Sequence, residues 1–131
     1  MRFQNKIKTD HWVTPEKVKL TIKEDLGLDI SKMFDPCPLH SKKNGLLIKW
    51  KKNNYINPPY ARGKLEQFIF KAYIEFLDGK NCYSLLPVKS DQAWFKFLLR
   101  KKFFIYFFDY RIRFSGAKLP ATTPHCLVCM E

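Results

Sequence analysis

Apolar segments of two different periodicities alternate along this chain, and their order restricts the folds open to it. Strands are predicted at 32–34, 55–56, 82–86, 103–108, 111–114 and 126–130. Apolar residues three and four apart predict amphipathic helices over 15–26, 65–76 and 91–99. This alternation favours a layered α/β fold with a largely parallel sheet and helices on its faces. The last three strands are too close in sequence for helical crossovers, which predicts an antiparallel C-terminal edge.

Capping and turn residues mark the ends of the predicted helices. Thr14 is predicted to cap the first helix, with Pro15 at its first position and Gly27 after its end. Asp78-Gly79 ends the second helix, and Ser90-Asp91 caps the third.

The chain has 131 residues, which predicts a single domain over 1–131. The apolar run 103–108 lies between charged residues and suits a buried strand. It is far shorter than the roughly 20 apolar residues that a membrane-spanning helix needs. The basic N-terminus is not followed by the apolar core of a signal peptide, so we expect a cytoplasmic protein without a membrane partner.

The cysteines allow a metal site to be considered. Cys37-x-x-His40 and Cys126-x-x-Cys129 have the residue types and spacing of zinc ligands. However, 126–130 is a predicted strand, in which positions three apart point to opposite faces. We therefore favour buried free thiols and predict no metal site.

The charge balance points to a polyanionic partner. Lys and Arg number 24 against 12 Asp and Glu, for a net charge of +12, and the excess is spread along the whole chain. A folded domain with such a field attracts nucleic acid, although the same charge could be solvated surface without a partner.

The most informative motif is Asn57-Pro58-Pro59-Tyr60 at the end of a predicted strand. The Asn57 side-chain oxygen and the Pro58 carbonyl are two acceptors that could take both hydrogens of an amine and direct its lone pair at a methyl donor. The prolines fix φ and remove competing N–H groups, and Tyr60 offers a flat face for a flipped-out base. The alternative is a proline-rich turn with Asn57 as a local cap.

This tetrapeptide resembles the catalytic motif of amino-group methyltransferases that use S-adenosylmethionine. The chain as a whole is similar to the phage-type DNA N6-adenine methyltransferase family. The similarity rests on segments in a shared order: Trp12-Val13-Thr14-Pro15, Phe34-Asp35-Pro36-Cys37, Gly45-Leu46 with Trp50, Asn57 to Tyr60, Leu85-Leu86-Pro87, Ser90-Asp91 with Trp94-Phe95, and Arg113-Phe114. The resemblance implies a reduced Rossmann-like methyltransferase fold with a mixed sheet, acting on double-stranded DNA, in the host cytoplasm if the protein is viral.

The resemblance also implies roles for individual residues. Asn57, Pro58, Pro59 and Tyr60 would form the catalytic loop. The cofactor would be held by Trp12, Thr14, Pro15, Asp35 and Pro36, with the Asp35 carboxylate meeting the cationic methionine end. Trp12 could instead be a core aromatic, and Asp35-Pro36 a turn. Arg62 and Lys64, which follow the catalytic loop, and Lys89, which follows the next strand, are the expected phosphate contacts.

The chain departs from the family pattern in two respects. Prolines stand after Asp35 where a glycine-rich cofactor loop is usual, and the segment from Asp35 to Asn57 is too short for full βαβ units. No target-recognition domain is visible, so DNA specificity would come from short loops or from a homodimer, or would be low. Two alternatives to a DNA methyltransferase stay open: a methyltransferase acting on RNA or on a protein glutamine, and a degenerate member that binds nucleic acid without catalysis.

Overall fold

A computed structural model describes residues 12–38, 44–61 and 63–131. It contains an α/β arrangement of helices and strands around one mixed sheet. In chain order the elements are α1 (Glu16–Leu26), a 3₁₀ helix (Ile30–Lys32), β1 (Asn53–Ile56), α2 (Lys64–Leu77), β2 (Asn81–Pro87), α3 (Ala93–Arg100), β3 (Phe104–Phe107) and β4 (His125–Met130).

The sheet has the strand order β1-β2-β4-β3. β1 and β2 are parallel, with Ile56 beside Ser84, whereas β4 is antiparallel to both of its neighbours. The predicted antiparallel C-terminal edge is confirmed. The prediction of a largely parallel sheet is wrong, because β4 inserts between β2 and β3 and runs against both.

Alternating side chains of the strands build a core on each face of the sheet. Cys82, Leu86 and Val128 pack with the buried stripes of α2 and α3 on one face. Leu85 and Leu127 pack with Val18 and Ile22 of α1 on the other. Helices therefore cover both faces, as the sequence predicted.

Two predicted strands are absent from the described chain. Residues 30–32 close a 3₁₀ turn, and Phe34 forms only an isolated parallel bridge with Asn54 before Pro36, which has no N–H to continue a ladder. Residues 111–114 also lie outside the sheet, because β2 and β3 already occupy both sides of β4. Their apolar side chains are still core residues, since Ile112 and Phe114 are buried.

The segment predicted as a buried strand, 103–108, forms the edge strand β3. Phe104 is 57% exposed and Phe107 is 54% exposed, while Phe108 beyond the strand is buried. The length and aromatic content of this run indicated a strand correctly, but they did not indicate its position at the edge. None of the described helices is long and apolar enough to cross a membrane.

The helix starts also differ from the sequence prediction. Pro15 is the N-cap of α1, not its first residue, and no side chain caps that helix. Gln92, not Ser90 or Asp91, is the N-cap of α3. The predicted ends are confirmed: Gly27 follows α1 with a φ of 70°, and Asp78 follows α2.

Glu75 joins α2 to the segment that leads into β1. It is buried, and its carboxylate accepts hydrogen bonds from the Trp50 backbone N–H at 3.2 Å, from Lys71 at 2.7 Å and from Lys80. Burial alone would raise the pKa of Glu75, but these donors outweigh it and lower the pKa to about 2.

We predict that Glu75 makes folding stability depend on pH in the acid range. A depressed folded-state pKa stabilises the protein above the ordinary value of 4.5, and this contribution is lost as the pH falls towards 2. Glu75→Gln should lower the free energy of unfolding at neutral pH by about 3 kcal/mol, because one partner of a buried ion pair is removed. Urea denaturation between pH 2 and 7 measures both effects.

The matched control is Glu24→Gln, which neutralises an exposed carboxylate on α1. It should change the free energy of unfolding by less than about 0.5 kcal/mol. Equal losses in the two variants would contradict the role of Glu75.

Candidate active site

The sheet brings several chain segments to one edge. The parallel strands β1 and β2 end there at Ile56 and Pro87, and the antiparallel β4 begins there at His125, which pairs with Pro87. Asn57 and Lys89 therefore follow strand ends on the same side of the sheet. Ligands of open α/β sheets bind at the carboxyl ends of parallel strands.

The Asn57 side chain is held by its nitrogen. Nδ2 donates a hydrogen bond to the Trp12 carbonyl oxygen at 2.6 Å and a second to Thr14 Oγ1 at 3.3 Å. A carbonyl oxygen only accepts, so this contact sets which end of the amide is nitrogen. In the described part of the chain, no donor is bonded to Asn57 Oδ1 or to the Pro58 carbonyl. Both residues are buried, and within the described residues neither acceptor has a protein donor.

The Thr14 hydroxyl links this amide to the sheet. Thr14 Oγ1 and the Tyr55 hydroxyl are 2.6 Å apart and buried. Burial raises the pKa of Tyr55, which keeps its hydroxyl protonated. Thr14 does not cap α1 because its hydroxyl is bonded to Tyr55, which lies 41 residues further along the chain.

A cavity of about 270 Å³ lies beside this network. Asp35 and Lys19 place an acidic and a basic side chain on its wall. The other lining residues are polar, aromatic or apolar: Trp12, Val13, Thr14, Ile30, Ser31, Met33, Cys37, Tyr55 and Asn57.

The Asp35-Pro36 turn forms part of the wall of this small cavity. Asp35 Oδ1 accepts a hydrogen bond from the Cys37 backbone N–H at 2.8 Å, which closes a local turn. Pro36 is buried under Gly45, where a Cβ atom would lie 1.8 Å from the Pro36 carbonyl oxygen. Only glycine allows this approach of the two backbones.

A larger cavity of about 720 Å³ adjoins the small one at Trp12, which lines both. Tyr60, Trp94 and Phe114 give it aromatic walls, and Lys89 adds a positive charge. Residue 117 and residues 119–123 also line this cavity. The remaining lining residues are Ala61, Gly63, Leu65, Glu66, Pro87, Gln92 and His125.

Tyr60 contacts His125 at the wall of the large cavity. The Tyr60 hydroxyl lies 2.8 Å from His125 Nε2, and His125 Nδ1 lies 3.1 Å from the Thr123 carbonyl oxygen. Burial, with the nearby charges of Lys89 and Arg111, lowers the pKa of His125 to about 4. Since Nδ1 must donate to the carbonyl, the neutral ring accepts at Nε2 from the Tyr60 hydroxyl.

The family of the chain follows from a comparison with family models. A model described as DNA N-6-adenine-methyltransferase (Dam) matches residues 3–126. The chain belongs to this family. Comparisons with curated proteins and with solved structures gave no significant match. The predicted family resemblance is confirmed, and with it the general class of DNA adenine methyltransferase.

The structure of this adenine methyltransferase family member brings most of the predicted cofactor residues together. Trp12, Thr14 and Asp35 line the small cavity, and Pro36 is buried beside it. Pro15 lies next to them as the cap of α1. The catalytic loop is divided, because Asn57 lines the small cavity and Tyr60 the large one.

The predicted phosphate contacts are placed less uniformly. Lys89 lines the large cavity. Lys64 is the exposed first residue of α2 and is outside the cavity lining, where the acidic Glu66 stands instead. Arg62 lies outside the described residues, as does His40 of the considered zinc pattern. Among the described residues, no group of three metal-ligating side chains forms a site.

The cysteines behave as the strand pattern predicted. Cys126 packs in the core on the α2 and α3 face, and Cys129 packs on the α1 face. The two thiols point away from each other across the sheet. Burial raises the pKa of each to about 12, so both stay protonated.

Sequence reasoning missed two residues of this site. Lys19 stands on an ordinary helix surface position, and only the fold places it on the same cavity wall as Asp35. His125 opens an apolar strand, and a histidine followed by Cys126-Leu127-Val128 was a usable signal, because a buried imidazole needs polar partners.

We predict that Thr14→Val destabilises the protein with almost no change of shape. The free energy of unfolding should fall by about 1–3 kcal/mol, because Tyr55 and one N–H of Asn57 lose a buried partner. Thermal or urea denaturation measures this loss. Thr21→Val is the matched control. Thr21 lies on α1, and its half-buried hydroxyl contacts Tyr110 outside both cavities. Solvent can replace that contact, so a control loss as large as that of Thr14→Val would contradict the prediction.

Proposed function

We propose that this protein transfers a methyl group from S-adenosylmethionine to the N6 atom of an adenine flipped out of double-stranded DNA. The observation that carries the proposal is the anchored Asn57 amide. Its nitrogen is bound by Trp12 and Thr14, which leaves the oxygen of a residue that lines the small cavity as a fixed acceptor, and the Pro58 carbonyl follows it directly in the chain.

These two acceptors match the two hydrogens of an adenine amine. Bound at Asn57 Oδ1 and the Pro58 carbonyl, the amine loses conjugation with the ring, and its lone pair turns towards the methyl carbon. The bond between the nitrogen and the methyl carbon would form as the carbon–sulfur bond of the sulfonium breaks, with S-adenosylhomocysteine as the leaving group. The nitrogen would then lose one of its protons to water. The Asn57 amide needs no reorganisation at that moment, because its nitrogen is already bonded.

The small cavity suits the methionine end of the cofactor. An amino acid end carries an ammonium and a carboxylate, and the wall offers Asp35 for the first and Lys19 for the second. Thr14, Ser31 and Tyr55 add hydroxyl groups. When bound, S-adenosylmethionine supplies an electrophilic methyl group. Asn57 on the same wall would then be close to that group.

The large cavity suits the extruded adenine. Tyr60 and Phe114 offer aromatic faces, and stacking on such faces compensates for part of the cost of unstacking a base. Trp12 lines both cavities, so a base in the large one could present its amine at the boundary with the small one.

Positive charge near the large cavity is proposed to bind the DNA backbone. Lys89 lines the cavity and is exposed, and Lys64 is exposed at the start of α2. Together with Arg62, which follows the catalytic loop in sequence, they are candidates for phosphate contacts within a chain of net charge +12.

Asn57→Ala should lower the turnover of methyl transfer to duplex DNA roughly 100- to 1,000-fold, because one fixed acceptor of the reacting amine is lost. Transfer from radiolabelled S-adenosylmethionine measures turnover, and calorimetry should show cofactor affinity changed only a few-fold. The same assay on RNA and on cell protein separates the proposed substrate from other amines.

Asn53→Ala is the matched control for this variant. Asn53 is exposed at the first position of β1, whereas Asn57 follows the last position of this strand. It should keep wild-type turnover. Wild-type turnover in Asn57→Ala would instead disprove the proposed role of the amide.

Binding of a short DNA duplex should weaken steeply with salt. A footprint of about five phosphates predicts a slope near −4.5 for log affinity against log salt, from about −0.9 per contact. Replacing Lys64 and Lys89 together by alanine should make the slope shallower by about 1.8. Fluorescence anisotropy between about 50 and 200 mM salt measures both slopes.

The control for charge alone is replacement of Lys17 and Lys23 by alanine. Both lie on α1, and neither lines a cavity. This variant loses the same net charge and should keep nearly the wild-type slope. Equal slopes for the two double variants would show that the charge acts without a defined DNA footprint.

A further inference from the structure

We infer that His125 is a positioning residue that holds the Tyr60 ring in its stacking orientation by accepting a hydrogen bond from the Tyr60 hydroxyl. The inference rests on the proposed function, in which the flipped adenine stacks on Tyr60. It adds a residue on β4, 65 positions further along the chain than Tyr60.

The Tyr60 ring packs against the core on the α2 and α3 face, and a contact at its hydroxyl end adds to this packing. Tyr60 follows two prolines and lies outside any strand or helix. Two side-chain torsions therefore separate its ring from the fixed backbone. Together with the core packing, a hydrogen bond at the far end of the ring restricts these torsions before a base arrives, which lowers the ordering cost of stacking.

His125 itself is fixed from several sides. It is 2% exposed, it pairs with Pro87 across the sheet, and its carbonyl accepts from the Phe108 N–H at 3.1 Å. The Phe114 ring meets the imidazole edge-on, with 5.3 Å between ring centroids. The Tyr60 hydroxyl is thus bonded to one of the most constrained side chains at this edge of the sheet.

The direction of the hydrogen bond is set by the charges and dipoles around the ring. The Thr123 carbonyl requires a proton on Nδ1 at 3.1 Å. The charged groups facing the imidazole, Lys89 and Arg111, are both cations and oppose a second proton on Nε2. Burial keeps the Tyr60 hydroxyl protonated, so it donates to Nε2.

A double-mutant cycle on methyl transfer tests the contact. Tyr60→Phe and His125→Leu should each lower the single-turnover rate roughly three- to tenfold, the range expected for one neutral hydrogen bond. The double variant should be no slower than the slower single variant, because both remove the same contact. Rates that multiply in the double variant would overturn the inference.

Two further variants separate positioning from folding. His125→Gln keeps an amide acceptor near the place of Nε2 and should retain at least half of the wild-type rate. Tyr110→Phe removes a tyrosine hydroxyl that contacts Thr21, outside both cavities, and should leave the rate unchanged. A folded His125→Gln protein as slow as His125→Leu would overturn the positioning role.

Nuclear magnetic resonance of ¹⁵N-labelled histidine tests the contact without any activity. We expect His125 to carry its proton on Nδ1 and to stay neutral down to about pH 5. A proton on Nε2 would overturn the inference even in an active enzyme. A wild-type protein with the expected tautomer but without methyl transfer to DNA would instead refute the proposed function.

Discussion

The hydrogen bond from Asn57 Nδ2 to the Trp12 carbonyl joins two chain segments that are 45 residues apart. Asn57 is only 7% exposed, so its amide has to find partners inside the protein. The segment before α1 supplies them, through the Trp12 carbonyl and the Thr14 hydroxyl. Because Thr14 takes part in this network, the N-terminus of α1 that follows it has no side-chain cap. Thr14 therefore contributes to the polar network at the end of β1 and not to the cap of α1.

The mixed sheet explains why such a short chain can place so many functional groups together. Two parallel strands deliver Asn57 and Lys89 at one edge, and the isolated bridge at Phe34 brings Asp35 to the small cavity that Asn57 lines. The antiparallel β4 begins at that same edge, which brings His125 to Tyr60. A parallel strand at the place of β4 would have put His125 at the opposite edge. The departure from a largely parallel sheet is therefore part of how the site is built.

Local patterns predicted the features that depend on neighbouring residues. The helices and most strands follow from periodicity. Several of the failures involve long-range partners. Thr14 has the local signature of a cap but bonds to Tyr55, and 111–114 has the composition of a strand but finds no free place beside β4. Glu75 and His125 gain their roles from Trp50 and Tyr60, which no spacing along the chain connects to them.

The sequence directly after Asp35 has prolines in place of a glycine-rich loop, and in the structure a glycine further along the chain packs against this segment. Glycines in a cofactor loop serve to let backbone come close. Here the close approach comes from Gly45, whose backbone lies against the Pro36 carbonyl and whose own carbonyl accepts from the Trp50 indole at 2.9 Å. Pro36 is thereby fixed from outside, and the turn from Asp35 Oδ1 to the Cys37 N–H fixes it from within. Residues 35–37 are thus held by a close backbone contact and by a local turn, so the proposed cofactor wall does not need glycines at these positions.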